Sequence, residues 1–144
     1  MPAAAIVTRN RQLAIVDDDP GALRALSFLL ELDGYRVRAF WSGAEFLEAA
    51  CNDRPDCLVV DQNMPAMTGL EVAERLRGLG ATIPVVMITA TPSAWLALRA
   101  KELGIHGIVE KPIFGAELAD AIEGCLGKAD GADLRPSGKA PDSE

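Results

Sequence analysis

Five side chains that suit a cation or a phosphate follow four apolar segments of this 144-residue chain. They are Asp17, Asp18, Asp61, Thr89 and Lys111, and each stands at or just beyond the end of a short apolar run. Carboxylates brought together repel one another, by roughly 4 kcal/mol for a pair ~4 Å apart in an effective dielectric near 20. Mg²⁺ relieves that repulsion, since it binds one or two carboxylates and leaves its other positions to water and phosphate oxygens. With a lysine ammonium and a threonine hydroxyl for the phosphoryl oxygens, the set has the composition of a phosphoryl-transfer site whose nucleophile is a carboxylate.

Apolar runs alternate five times with helix-like stretches, and this alternation predicts the elements that position those side chains. The runs begin at Leu13, Tyr35, Cys57, Pro84 and Gly107. The run at Tyr35 alternates charged and apolar residues, which is typical of an edge strand, whereas the others are apolar throughout. Strands joined by helices form a parallel sheet covered on both faces. We therefore predict a doubly wound α/β domain with a five-stranded parallel sheet of the flavodoxin-like type, whose ligands bind at the carboxyl ends of the strands.

The composition indicates one globular domain flanked by two segments. Residues 12–127 carry the alternating pattern, residues 1–11 are predicted to be a flexible N-terminal segment, and residues 128–144 a disordered tail or linker. The last segment has too few apolar residues to offset the entropy of ordering itself. Overall, 49% of the residues are hydrophobic and 24% charged, as expected of a globular protein.

Charge and cysteine usage exclude several classes of function. With 14 basic and 21 acidic residues the formal charge is −7. The sequence contains no cluster of Lys and Arg, so we expect no direct binding of nucleic acid by this chain. No apolar run is long enough for a bilayer and no secretory signal is present, so we expect a cytoplasmic protein without membrane contact. Three cysteines at unrelated spacings and one histidine match neither a zinc site nor a redox motif, which predicts reduced thiols packed as small apolar groups.

Four segments together resemble the receiver domains of bacterial two-component response regulators, the CheY-like superfamily. In chain order they are residues 16–20, 60–70, 87–90 and 110–112. The resemblance extends over residues 13–127. It implies a CheY-like fold and a phosphoacceptor domain in which Mg²⁺-dependent phosphorylation of Asp61 by a sensor histidine kinase switches contact with a downstream partner or effector domain. Such a domain is a signalling domain rather than an enzyme, with only self-catalysed phosphotransfer and autodephosphorylation.

The resemblance also implies a role for each site residue. Asp61 would accept the phosphoryl group, and Asp18 and Asp61 would bind Mg²⁺ directly. Asn63 would contribute its backbone carbonyl to the metal, and Asp17 would act on it through water. Thr89 and Lys111 would bind the phosphoryl oxygens.

A switch and partner surface is implied on the face formed by the fourth helix, the fifth strand and the fifth helix. Its residues are Trp95, Leu98, Ile108 and Pro112, and Pro112 resembles the proline that follows the family's lysine through a cis peptide bond. The family commonly uses this face for contact with an effector domain or for a homodimer. At Ile108 the sequence departs from the pattern, because many receiver domains carry a switching aromatic residue three positions before the lysine. Isoleucine is stiff about its first torsion, which argues against a rotamer switch of that kind.

Two alternative functions remain open at this point. A pseudo-receiver would be a protein-interaction module that is never phosphorylated. A magnesium-dependent phosphohydrolase of the haloacid-dehalogenase type would carry its nucleophile in an Asp-x-Asp motif after the first strand, together with a cap domain. This chain instead has its best nucleophile, Asp61, at the end of the third strand.

Overall fold

The computed structural model describes residues 11–134, in which strand and helix alternate five times. The elements are β1 (Gln12–Val16), α1 (Pro20–Leu32), β2 (Arg36–Phe40), α2 (Gly43–Ala50), β3 (Cys57–Asp61), α3 (Gly69–Gly78), β4 (Val85–Thr89), α4 (Ala94–Glu102), β5 (Gly107–Glu110) and α5 (Gly115–Leu134). This order confirms the predicted alternation. No helix among these residues is both long enough and apolar enough to cross a bilayer.

The five strands form one parallel sheet in the order β2-β1-β3-β4-β5. The predicted fold class is confirmed, and β2 is an edge strand as its alternating sequence indicated. β3 and β4 are buried along their whole length, which explains why their sequences are apolar on both faces. Val16 pairs with Val60 and Asp61 with Ile88, so the ends of the central strands lie level with one another.

Helices cover both faces of the sheet, because successive side chains of a strand point to opposite sides. Helices α2, α3 and α4 cover one face, where residues such as Val60 pack with Phe46 and Leu76. On the other face α1 and α5 pack against residues such as Val59.

Polar caps fix the point at which each site-proximal loop becomes a helix. Asp19 accepts a hydrogen bond from Gly21 N at 3.0 Å and begins α1. Thr68 and Glu71 form a capping box at the start of α3, and Ser93 caps α4. These caps set the length of the loops that leave the carboxyl ends of β1, β3 and β4.

Helix α5 is longer than the sequence indicated. It was expected to end near Gly127 but continues to Leu134, so the first part of the predicted tail, residues 128–134, is helical. Adding one residue to an existing helix fixes little additional chain for each hydrogen bond gained, and Ala, Lys and Leu favour the conformation. Residues 135–144 and residues 1–10, for which a disordered tail and a flexible segment were predicted, lie outside the described residues.

None of the three cysteines forms a disulfide, as predicted. Cys57 and Cys125 are buried with their sulfur atoms 3.5 Å apart. The hydrogen bond between them, together with burial, raises the pKa of the Cys57 thiol well above its ordinary value. A thiol held protonated in this way behaves as a small core side chain.

Candidate functional site

Three carboxylates converge where β1 and β3 end side by side. Asp17 and Asp18 follow β1, Asp61 is the last residue of β3, and one carboxylate oxygen of each lies within 4.8 Å of the others. Asp17 and Asp61 are buried, whereas Asp18 is exposed. The parallel register of the two neighbouring strands produces this convergence, and the cluster was expected from the sequence because all three residues end apolar runs.

Burial makes the cluster electrostatically costly. Loss of water around Asp17 raises the pKa of its carboxyl group, and the nearby charge of Asp61 adds to the effect. A hydrogen bond from Asp19 N to Asp17 Oδ1, 3.0 Å long, acts in the opposite direction. The three oxygens form an anionic recess that favours a cation.

Lys111 reaches the same recess from the end of β5. Its Nζ lies 3.1 Å from Asp61 Oδ1, and the Asp61 side chain is only 4% exposed. The backbone holds this lysine in place, since Lys111 N donates to Thr89 O at 2.8 Å. The Lys111–Pro112 peptide bond is cis, as the resemblance implied. Of the predicted site residues, Lys111 is the one that directly contacts the Asp61 carboxylate with a positive charge.

Thr89 ends β4 beside the cluster, and its hydroxyl is already engaged. Thr89 Oγ1 lies 3.4 Å from Asn63 Oδ1 and accepts a hydrogen bond from Thr91 N at 3.0 Å. Asn63 Oδ1 also accepts from Ala90 N at 2.7 Å, and Asn63 Nδ2 donates to Thr91 Oγ1 at 3.2 Å. The sequence indicated only the backbone of Asn63 as functional, because no periodic pattern reveals where a loop amide points.

The loop after β3 folds back closely on the strand end. Leu70 N donates to Gln62 Oε1 at 2.7 Å, and a Cβ atom at Gly69 would lie 2.9 Å from Asp61 O. Only glycine fits at that distance. Asn63 N donates to Asp61 Oδ1 at 3.2 Å, so the loop also orients the carboxylate. Sequence reasoning missed the role of Gly69, which stands in the motif without a pattern that distinguishes it.

The donor set fits a hard divalent cation. Carboxylate oxygens from Asp17, Asp18 and Asp61 are the ligands that Mg²⁺ prefers, and their mutual repulsion is relieved by a dication. The Asn63 backbone belongs to the same loop. Two of the three carboxylates are buried, which leaves Asp18 on the solvent side of the recess.

The predicted partner surface divides into exposed and half-buried members. Trp95 and Leu98, three residues apart on α4 and hence on one side of it, are 61% and 57% exposed. Ile108 is half-buried and packs against the core on the α2–α4 face, and Pro112 is exposed. An exposed apolar patch that sequence reasoning missed lies elsewhere, where Phe28 of α1 and Trp41 after β2 line the same shallow cavity.

Comparisons with known proteins agree with this geometry. The family model of the response regulator receiver domain matches residues 13–123. The transcriptional regulatory protein FixJ of Azorhizobium caulinodans is 35% identical over 115 residues, which cover 80% of this chain and 54% of that protein. Response regulator MprA of Mycobacterium tuberculosis is 34% identical over 115 residues, covering 80% of this chain and 50% of its own. The chain therefore spans about half the length of the curated relatives it matches.

Solved structures show the same fold. The Vibrio cholerae chemotaxis protein CheY4 superimposes with a TM-score of 0.76 and 29% identity, covering 81% of this chain and 98% of that one. The FixJ-N structure gives a TM-score of 0.76 and 32% identity, covering 81% and 94% of the two chains.

Proposed function

The chain belongs to the response regulator receiver domain family, and on that premise we propose that it is a phosphoacceptor signalling domain whose acceptor is Asp61. The observation that carries the proposal is the contact between Lys111 Nζ and Asp61 Oδ1 at 3.1 Å inside a cluster of three carboxylates. A metal site alone does not need a lysine in contact with one of its buried ligands. A carboxylate that receives a phosphoryl group does, because negative charge accumulates there.

The carboxylates and one carbonyl would hold Mg²⁺. Asp18 and Asp61 would bind it directly, Asn63 through its backbone carbonyl and Asp17 through water. When bound, the ion supplies positive charge that offsets the negative charge of the phosphoryl oxygens.

The transfer is a single displacement at phosphorus. A carboxylate oxygen of Asp61 attacks, the bond from phosphorus to its donor breaks, and the leaving group departs with the bonding electron pair, which yields an acyl phosphate on Asp61. The donor would be a phosphorylated histidine of a sensor kinase or a small acyl phosphate. Lys111 and Thr89 would bind the phosphoryl oxygens from two sides. Water attacking the same phosphorus would later release inorganic phosphate and restore the carboxylate.

The signal would leave through the face formed by α4, β5 and α5. Trp95, Leu98, Ile108 and Pro112 lie on this face and would contact an effector domain, a partner protein or a second copy of the chain. Exposed apolar side chains on one side of α4 support a protein partner. The acidic charge of −7 supports the view that this chain does not itself bind nucleic acid. We place the domain in the cytoplasm, where sensor kinases present their phosphohistidine.

Intact-mass measurement after incubation with acetyl phosphate and Mg²⁺ tests the proposal. We expect the gain of one phosphoryl group, its absence in Asp61→Asn and its absence when a chelator is present. Asp19→Asn is a matched control, because it removes a neighbouring carboxylate that caps α1, and asparagine caps equally well. A phosphoryl group retained by Asp61→Asn would overturn the assignment. An unmodified wild-type chain would instead support the pseudo-receiver alternative.

A further inference from the structure

The Asn63 side chain forms hydrogen bonds with the loop that follows β4. Its Oδ1 atom lies 2.7 Å from Ala90 N and 3.4 Å from Thr89 Oγ1, and its Nδ2 atom lies 3.2 Å from Thr91 Oγ1. The orientation of the amide is fixed by Ala90, because a backbone N–H only donates and must therefore face the oxygen. One carboxamide oxygen thus collects two donors from the loop that follows β4.

Those donors stand beside the proposed acceptor. Asn63 N is bonded to Asp61 Oδ1, and Thr89 is the hydroxyl proposed to bind a phosphoryl oxygen. A hydroxyl has a single proton, and Thr89 Oγ1 already accepts from Thr91 N. Thr89 is therefore unable to donate to Asn63 and to a phosphoryl oxygen at the same time.

We propose that the Asn63 side chain is a positioning residue that holds the loop after β4 in the resting state, its carboxamide oxygen occupying hydrogen-bond donors that a phosphoryl oxygen on Asp61 takes over. The inference rests on the proposed function and deepens it. Phosphorylation displaces the Asn63 oxygen from Thr89 and Ala90 and so frees the loop. Because that loop leads within four residues from Thr89 to Ser93, the cap of α4, the exchange couples the acceptor to α4 without an aromatic residue at Ile108.

The predicted consequence is a competition that weakens phosphoryl binding in the wild type. Asn63→Ala removes the competing oxygen and keeps the backbone carbonyl proposed to bind Mg²⁺. We expect the affinity of the protein for the beryllium trifluoride anion, a phosphoryl mimic, to rise about three- to tenfold in the presence of Mg²⁺, the range for one or two hydrogen bonds. The rate of phosphorylation by acetyl phosphate rises in parallel.

Thr91→Val is the matched control. It removes the hydroxyl that accepts from Asn63 Nδ2 but leaves Asn63 Oδ1 in contact with Thr89 and Ala90, and the backbone bond from Thr91 N is kept. We expect less than a twofold change in affinity for the anion. A change in Thr91→Val as large as that in Asn63→Ala would overturn the proposal, because the Oδ1 contacts would then not be the ones that compete.

Hydrogen exchange of the free protein provides a readout that does not depend on phosphoryl chemistry. In Asn63→Ala we expect the Ala90 amide to exchange faster than in the wild type, while the amides of β3 keep their protection and show that the chain is folded. An unchanged Ala90 amide, or unchanged or weaker anion binding by Asn63→Ala, would overturn the inference and leave the proposed function intact. If the wild type itself neither binds the anion nor gains a phosphoryl group, the proposed function fails, and this inference fails with it.

Discussion

The Asp17 carboxylate belongs to the acidic cluster but lowers the stability of the fold when it is ionised. Its carboxylate is buried beside Asp18 and Asp61, and burial raises its pKa. A raised pKa means that the folded state prefers the protonated group, so the ionised form destabilises the fold. The hydrogen bond from Asp19 N and the positive charge of Lys111 offset part of this cost. The cost of this buried charge is consistent with the proposed binding of a cation beside it.

Asp17→Asn should therefore stabilise the metal-free protein. The amide oxygen still accepts from Asp19 N, while the buried charge is lost. We expect the free energy of unfolding near neutral pH to rise by about 1–2 kcal/mol, measured by urea denaturation in a chelating buffer. The added stability given by Mg²⁺ should fall in the same variant.

The pH dependence of that difference follows from the direction of the pKa shift. Because the folded-state pKa of Asp17 is raised above that of the unfolded chain, its contribution to stability is full at low pH and is lost as the pH rises through the folded pKa. The advantage of Asp17→Asn should be greatest above the raised pKa of Asp17 and should shrink as the pH falls through it. An advantage that grows on acidification would contradict the assignment of the cost to Asp17.

At the scale of the elements, the strands were predictable and the loop contacts were not. Buried parallel strands need apolar residues on both faces, so β3 and β4 are visible in the sequence, and the residues at their ends follow directly. The capping box at Thr68 has a sequence signature of its own. The positions of the Asn63 amide and of Gly69 depend on the path of one loop in three dimensions, and no spacing along the chain encodes it.

Helix α5 shows a different limit of sequence reasoning. The residues after Gly127 include few apolar side chains that could pack in a core, and this composition predicts that α5 ends there. Helical backbone continues to Leu134, because a helix already formed extends without requiring an apolar face at every turn. Absence of core residues is therefore a poor guide to where a terminal helix stops.

Two glycines of α3 should respond oppositely to alanine. A Cβ atom at Gly69 would lie 2.9 Å from Asp61 O, whereas one at Gly78 meets nothing within 4 Å. We expect Gly69→Ala to destabilise the protein by about 1–3 kcal/mol through this backbone clash and to slow phosphorylation, since the end of β3 must shift. Gly78→Ala should be neutral or stabilise by up to about 1 kcal/mol.

Thermal unfolding of the two variants checks this prediction, with acetyl phosphate labelling as the second measurement. Gly78→Ala is the control for the general effect of alanine in the same helix. Equal stability of both variants would show that the loop after β3 can move away from Asp61 without cost.

At the scale of the whole molecule, the carboxylate cluster and the exposed apolar side chains lie in different regions. The acidic recess lies at the carboxyl edge of the sheet, Trp95 and Leu98 lie on α4, and a separate apolar patch includes Phe28 and Trp41. Trp95 and Trp41 are almost equally exposed, at 61% and 65%. Exposure alone therefore does not show whether the surface of Trp95 or that of Trp41 binds a partner. A matched pair of substitutions at these two residues tests which of them does.

For the proposed contact between two copies through the face of α4, β5 and α5, Trp95→Glu should weaken association at least about tenfold, the effect of placing a charge in an apolar contact. Trp41→Glu should leave it unchanged, because Trp41 is not on the face of α4, β5 and α5. Sedimentation velocity with beryllium trifluoride and Mg²⁺ measures both. Loss of association in Trp41→Glu alone would assign the interface to the other patch.

The depth of Asp61 would limit which molecules could serve as donor to the proposed acceptor. Only 4% of its side chain is accessible and Lys111 Nζ lies 3.1 Å from Oδ1, so a donor would have to project its phosphorus atom beyond the rest of its surface. A compact small molecule would meet that requirement, and so would an imidazole that stands out from a helix. A phosphate group lying flush with a flat protein surface would not reach the carboxylate.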